Sequence, residues 1–259
     1  MASYDIVGNI LIMKFKRDVT KRDKKKIALT FLKSHKNVST VLEKVDKFSG
    51  RLRIQKTKYL AGVKTKEALY RENGCVFRFN VDSCYFSPRL ASERKEIASL
   101  IRKGERVLVM FGGIGPYAIV IAKLSKAEHV MSVEISRSCN IYALENIKRN
   151  KVQANVDIIQ GDVRRVIGKR KKIDEKFDRI IMARPNLKDS FLDIAFSVIK
   201  KSGIIHYYGF YAEEEKEKLR ELIKNEAKKV RRKIKIMGLH KAGEIAMKKF
   251  RYRADFVVV

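Results

Sequence analysis

Cysteine and histidine are too few and too scattered in this chain for most metal or redox chemistry. Its three cysteines, Cys75, Cys84 and Cys139, are odd in number and make no C-x-x-C pair, which excludes a disulfide framework and reads them as buried, inert thiols. The four histidines, His35, His129, His206 and His240, neighbour neither one another nor a cysteine, so no zinc site is expected. Long apolar runs are missing as well. No stretch approaches the roughly 20 apolar residues of a spanning helix, and the opening MASYDIVGNILIMKFKRD has no basic start and no small-residue cleavage site, so a cytoplasmic protein without a membrane partner is expected. No Pro- or Ser-rich linker and no internal repeat divides the chain.

Acid is the other shortage. Lys and Arg number 59 against 29 Asp and Glu, a formal net charge of +30, and the excess runs through every segment. Self-repulsion of that size opposes the compact state, so a polyanion, and nucleic acid first, is the expected partner. A solubilising Lys-rich surface explains a smaller excess better than this one. With 45% hydrophobic residues in 259, the chain still has ample material for a core.

From about residue 106 short β-rich runs alternate with amphipathic stretches, the pattern of an α/β parallel sheet covered by helices. Strands are expected at 106–111, 129–134, 156–160, 178–182 and 204–210. Helices are expected at 116–126, 136–150 with Ser136 as N-cap, and 189–200 stopped near Gly203. A helix over 212–230 leads to strands at 233–239 and 254–259 with no helix between them, which predicts an antiparallel edge hairpin and seven strands in all. The first hundred residues predict a separate α+β unit, with a strand or hairpin over 4–15, a basic helix over 21–35, strands at 51–56, 63–70 and 76–81, and an internal boundary within 36–47.

The turn after the first of these seven strands is Phe111-Gly112-Gly113-Ile114-Gly115-Pro116, bare backbone where a cofactor must approach the strand end. Glu134 closes the second strand 19 residues after Gly115 and can accept both hydroxyl hydrogens of a ribose. Asp162 closes the third within Gly161-Asp162-Val163. Singly these read as a tight turn or a helix-start carboxylate; three at successive strand ends point to a nucleoside cofactor. The turn is not the G-x-x-x-x-G-K-[ST] type, so adenosine without phosphates fits better than a nucleotide.

Phe111-Gly-Gly-Ile-Gly-Pro-Tyr117, with Tyr85-Phe-Ser-Pro-Arg-Leu-Ala-Ser-Glu-Arg94, Glu145-Asn-Ile-Lys-Arg-Asn150, Gly161-Asp-Val-Arg164 and Gly203-Ile-Ile-His-Tyr-Tyr208, resembles the archaeal and eukaryotic tRNA (guanine, position 37) N1-methyltransferases. The wybutosine-pathway aminocarboxypropyl transferases are close relatives of these. The resemblance spans essentially the whole chain, including Tyr4-Asp-Ile-Val-Gly-Asn-Ile10, Leu60-Ala-Gly62 and Arg71-Glu-Asn-Gly-Cys75. It implies a Rossmann-like seven-stranded class I methyltransferase domain at 98–259 that binds S-adenosylmethionine. A tRNA-reading unit at 1–45 and a substrate-contacting unit at 46–97 would precede it. A monomer acting on the anticodon loop and outer corner of tRNA is implied.

Guanine N1 is a poor nucleophile until its proton leaves and charge develops on O6, so a carboxylate and a cation are required. The resemblance assigns these to Glu93 as base and Arg53, beside Arg51, as the O6 support; read alone, Glu93 and Arg94 are a solvated helix-start pair. It gives the cofactor Tyr85, Arg94, Gly112, Gly113, Gly115, Glu134, Ile135, Asp162, Val163, Ala183 and Pro185, and gives the substrate Arg71, Phe86, Arg89, Tyr117, Arg184 and Asn186. Tyr85, Phe86 and Tyr117 are the candidates for an aromatic wall that receives the flipped base, and each also reads as core packing. Two positions depart from the pattern: Val109 stands where the family carries an acid, and Ala183-Arg184-Pro185-Asn186 replaces its Asn-Leu-Pro or Asn-Pro-Pro. Methyl transfer to guanosine 37 is the expected reaction. Aminocarboxypropyl transfer is the alternative, and a non-catalytic tRNA-binding protein the third reading.

Overall fold

The computed structural model describes residues 3–46, 50, 54–184 and 187–259. The chain opens with β1 (Ser3–Val7), β2 (Ile10–Lys14), α1 (Lys21–Ser34), β3 (Thr40–Lys44) and β4 (Thr57–Gly62), whose strands form one sheet in the order β1-β2-β3-β4. β2 and β3 are parallel, joined over α1. Parallel strands covered on both faces read as continuous apolar runs, and Ile10-Leu-Ile-Met13 is buried throughout. Leu11 and Met13 pack with Ala28 of α1, while Ile10 and Ile12 join the core shared with the rest of the molecule. Thr20 caps α1 by accepting the Asp23 N–H at 3.2 Å.

The boundary expected within 36–47 falls on β3, and a division at residue 45 separates it from its antiparallel partner β4. Strand pairing carries this unit to Gly62. The strand expected at 51–56 starts instead at Thr57; residues 51–53 are outside the described residues. The hairpin β5 (Glu67–Glu72) and β6 (Cys75–Asn80) follows, then a tight turn at Pro88–Leu90 and α2 (Ala91–Leu100).

The large sheet comprises β7 (Arg106–Met110), β8 (His129–Glu134), β9 (Val156–Gln160), β10 (Phe177–Met182), β11 (Ile199–Ala212), β12 (Ile234–Ala246) and β13 (Lys249–Val258). Its order is β12-β13-β11-β10-β7-β8-β9, parallel from β11 to β9 and antiparallel at β13. That is the expected seven-stranded sheet with its edge hairpin. Between the strands run α3 (Pro116–Leu124), α4 (Arg137–Arg149), α5 (Val163–Val166), α6 (Leu192–Val198) and α7 (Glu217–Lys229).

Ser136 caps α4 as the sequence predicts, accepting the Cys139 N–H. α6 ends at Val198, so Gly203 lies inside β11 instead of ending a helix. β12 and β13 run well past the predicted 233–239 and 254–259, because β13 zips with β11 as far as the Ala212–Lys249 pair and β12 follows along β13 to Ala246.

The amides of α4 tie the hairpin to this sheet. Asn150 accepts the Val76 N–H and donates to the Val76 carbonyl, both at 2.8 Å. Asn146 does the same for Arg78, at 2.8 and 3.1 Å. Two carboxamides one helical turn apart thus substitute for a strand along the open edge of β6.

Candidate functional site

The carboxyl ends of β7, β8 and β9 are stitched together by backbone. Gly112 N–H donates to the Val133 carbonyl at 2.8 Å and Gly161 N–H to the Glu134 carbonyl at 2.9 Å. A Cβ on Gly112 would lie 2.0 Å from Ser132 Oγ, so any side chain here would force the buried Ser132 hydroxyl aside. Gly113 has φ +57, and a Cβ there would meet nothing closer than the Tyr85 carbonyl at 4.0 Å. Its open side is the cavity. Gly115, with φ +85, caps α3 outside the cavity wall.

Glu134 receives Gly113 N–H on one oxygen at 2.9 Å and Ser136 N–H on the other at 2.7 Å. A carboxylate has about four acceptor sites, so Glu134 can take a further donor beside these. Burial holds its carboxyl above the ordinary range, opposed by the backbone bonds from Ser136 and Gly113. Asp162 caps α5 by accepting the Arg164 N–H at 2.9 Å and also lines the cavity.

The cavity has a volume of about 780 Å³. It brings together Tyr85, Phe86, Arg89, Arg94, Gly112, Gly113, Tyr117, Glu134, Ile135, Asp162, Val163, Ala183 and Arg184. The far wall comes from Asp5, Ile6, Val7 and Ile12 of the first sheet and from Ala242, Gly243, Glu244, Ile245 and Arg251 of the β12–β13 hairpin. Among the predicted residues Arg53, Pro185 and Asn186 lie outside the described residues. Arg71 is exposed and outside the cavity wall, on the opposite face of β5 from the buried Glu72.

Arg94, 2% exposed, grips Glu72 through Nε and Nη2, both at 2.5 Å, and lies over the rings of Phe86 and Tyr117. Phe86 packs among Tyr70, Phe77 and Phe79, so it is wall and core at once. Arg89 pairs with Asp5 at 2.9 Å, joining the first sheet to the Tyr85–Arg94 segment. Arg184 is buried, bonds the Leu187 and Asp189 carbonyls and leaves Nε without a partner among the described residues. Val109 sits in the core of β7, where a carboxylate would be buried against Ile181 and Ser132.

Glu93 is buried at 7% exposure, not solvated, and is outside the cavity wall. One of its oxygens accepts Tyr208 Oη at 2.5 Å and Arg253 Nη1 at 2.7 Å. Sequence reasoning missed Arg253 and the chain of groups behind it. Arg253 also bonds Glu96 at 2.6 Å and Asp255 at 2.9 Å; Asp255 meets His206 at 2.6 Å, and His206 meets Arg179 at 2.8 Å. The available signal was charge inside a strand: Arg253 and Asp255 alternate with Tyr252, Ala254 and Phe256 in β13. Among the described residues no group of three metal-binding side chains occurs, and no helix is long and apolar enough to cross a membrane.

Residues 68–237 match the TRM5/TYW2 methyltransferase domain, and residues 1–65 the TYW2 N-terminal domain. The chain belongs to the TRM5/TYW2 methyltransferase family. Its relatives in this family include the tRNA (guanine(37)-N(1))-methyltransferase Trm5b of Pyrococcus abyssi. That protein is 38% identical over 99% of this chain and 74% of its own length, and its crystal structure superposes with a TM-score of 0.86. The tRNA (guanine(37)-N(1))/4-demethylwyosine(37)-methyltransferase Taw22 of Nanoarchaeum equitans is 33% identical over 99% of this chain and 100% of its own. The TYW2 of M. jannaschii, solved in complex with AdoMet, is 28% identical with a TM-score of 0.73, covering 99% of both chains. The TRM5/TYW2 assignment confirms the class I methyltransferase fold preceded by a small α+β region.

Proposed function

We propose that this protein transfers the methyl group of S-adenosylmethionine to N1 of guanosine 37 in tRNA. The observation that carries the reading is the convergence of Gly113, Glu134 and Asp162 on one side of a cavity whose other walls bring Arg94, Arg184 and Arg251 beside aromatic rings. The identity to Trm5b of Pyrococcus abyssi supports the substrate. The residues present fit the cofactor: Glu134 can accept the ribose hydroxyls, Asp162 in the same cavity wall can accept from the adenine amino group, and the open face of Gly113 leaves room for the ligand. When bound, S-adenosylmethionine supplies an electrophilic methyl group. Glu93 is the general base and Arg53 the cation that steadies O6; Phe86 and Tyr117 receive the base, while Arg89, Arg184 and Asn186 steer the RNA. Arg94 orients the cofactor's carboxylate end, with Tyr85, Ile135, Val163 and Ala183 completing its wall, and Pro185 is a further cofactor contact.

Aminocarboxypropyl transfer to a modified guanosine is the second reading, favoured by Ala183-Arg184 in place of the amide and by the match of residues 1–65 to the TYW2 N-terminal domain. Identifying the by-product separates the two. Unmodified tRNA with guanosine at position 37 should yield N1-methylguanosine and S-adenosylhomocysteine; methylthioadenosine would overturn methyl transfer in favour of the second reading. Glu93→Gln should slow methylation strongly while tRNA affinity holds, and an unchanged rate would remove Glu93 from the mechanism.

A further inference from the structure

A base outside the wall of the cavity cannot take a proton directly from a ligand in it. Glu93 is connected to the cavity all the same. Tyr117 and Tyr208 both line the cavity, Tyr117 Oη donates to Tyr208 Oη at 3.3 Å, and Tyr208 Oη donates to Glu93 Oε1 at 2.5 Å. We propose that Tyr208, with Tyr117 as its partner at the cavity wall, relays the guanine N1 proton to Glu93. This rests on the reading of the reaction as N1 methylation.

The step balances. The N1–H bond breaks as an O–H bond forms on a tyrosine oxygen, that phenol's own O–H bond breaks in the same motion, and the last proton in the line bonds Glu93 Oε1. Both phenols end neutral, and the electron pair left on N1 is free to accept the methyl group. Neither phenol can do this alone: burial first, then Glu93, pushes Tyr117 up to about 12, and burial with Tyr117 and Glu93 pushes Tyr208 well above its ordinary value. The charged groups facing the pair are Glu93 and Arg94 of α2 and Arg251 and Arg253 of β13. Arg253 holds the receiving carboxylate in place, and is itself held by Glu96 and Asp255.

The test is Tyr208→Phe, which removes one oxygen and keeps the ring. At neutral pH its single-turnover methylation rate should fall about 100-fold, the low end of general acid–base catalysis. Dissociation constants for tRNA and S-adenosylmethionine should be unchanged, and the deficit should close at alkaline pH, where N1 loses its proton to hydroxide. A deficit equal at every pH marks a packing role and overturns the relay. Glu93→Gln in the same assay separates the two levels. If it slows the reaction while Tyr208→Phe is as fast as the unsubstituted enzyme, the relay falls and N1 methylation with Glu93 as base stands. If neither slows it, the assignment of Glu93 falls as well. Should Tyr208→Phe not fold, the single-turnover rate of the unsubstituted protein in mixtures of light and heavy water decides. A downward-bowed dependence shows more than one proton in flight, and a straight line overturns the relay.

Discussion

Two adjacent glycines in one turn answer to different demands, and substitution should tell them apart. Alanine at Gly112 puts a methyl group 2.0 Å from Ser132 Oγ, so Gly112→Ala should lower the melting temperature as well as cofactor affinity. At Gly113 the methyl group points into the cavity and meets no protein closer than 4.0 Å, so Gly113→Ala should cost only about 1 kcal/mol of backbone strain and yet abolish cofactor binding by calorimetry. Glu134 offers a pH test at the same wall. Its carboxyl sits above the ordinary range, so it gains a proton and loses an acceptor sooner than a free glutamate as pH falls. Cofactor affinity should therefore weaken on acidification before ordinary carboxylates titrate, and Glu134→Gln should be weak at every pH.

Glu134 was legible in the sequence because it ends a strand whose place follows from periodicity, and Asp162 because it follows the end of the next strand by two residues. The surroundings of Glu93 were not, because its partners Tyr208 and Arg253 lie 115 and 160 residues along the chain.

Elements were read best where apolar periodicity was strong, as in β7, β8 and β10, and worst where register depends on a distant partner. β4 was placed too early, at 51–56, because Thr57-Lys-Tyr-Leu-Ala-Gly62 has little apolar alternation of its own and is held by β3. The extension of β12 and β13 was missed because its residues are paired and still mostly exposed on β12. The Asn146–Asn150 ladder on β6 is a local device with a measurable worth. Replacing both by alanine leaves the partly buried backbone groups of Val76 and Arg78 without those partners, at about 0.5–1.5 kcal/mol for each hydrogen bond lost. Thermal denaturation should show the double variant well below the parent.

The His206 relay in β11 predicts the acid limb of stability. Arg179 can only donate, so His206 Nε2 accepts and Nδ1–H donates to Asp255; only the neutral ring serves both. Burial, with Arg179 and Arg253, holds its pKa below the ordinary value against the pull of Asp255. A depressed histidine keeps its full stabilisation above the unfolded pKa of about 6.5 and loses it as pH falls from there toward the folded value. The melting temperature should start to fall near that pH, and His206→Gln, which cannot titrate, should flatten the slope.

At the scale of the whole molecule the net charge of +30 dominates. Binding that neutralises six to ten phosphates should lose about 10³- to 10⁵-fold in affinity between ~50 and ~200 mM salt. A salt-insensitive dissociation constant for tRNA would contradict an electrostatic footprint. The topology carries a different consequence. β13 lies between β11 and β12 and supplies the arginine that holds Glu93, so translation makes the carboxylate some 160 residues before its countercharge. Until residue 253 clears the ribosome exit, Glu93 has no Arg253 to pair with, and a nascent chain stalled before that point should hold its partly formed sheet open between β11 and β12.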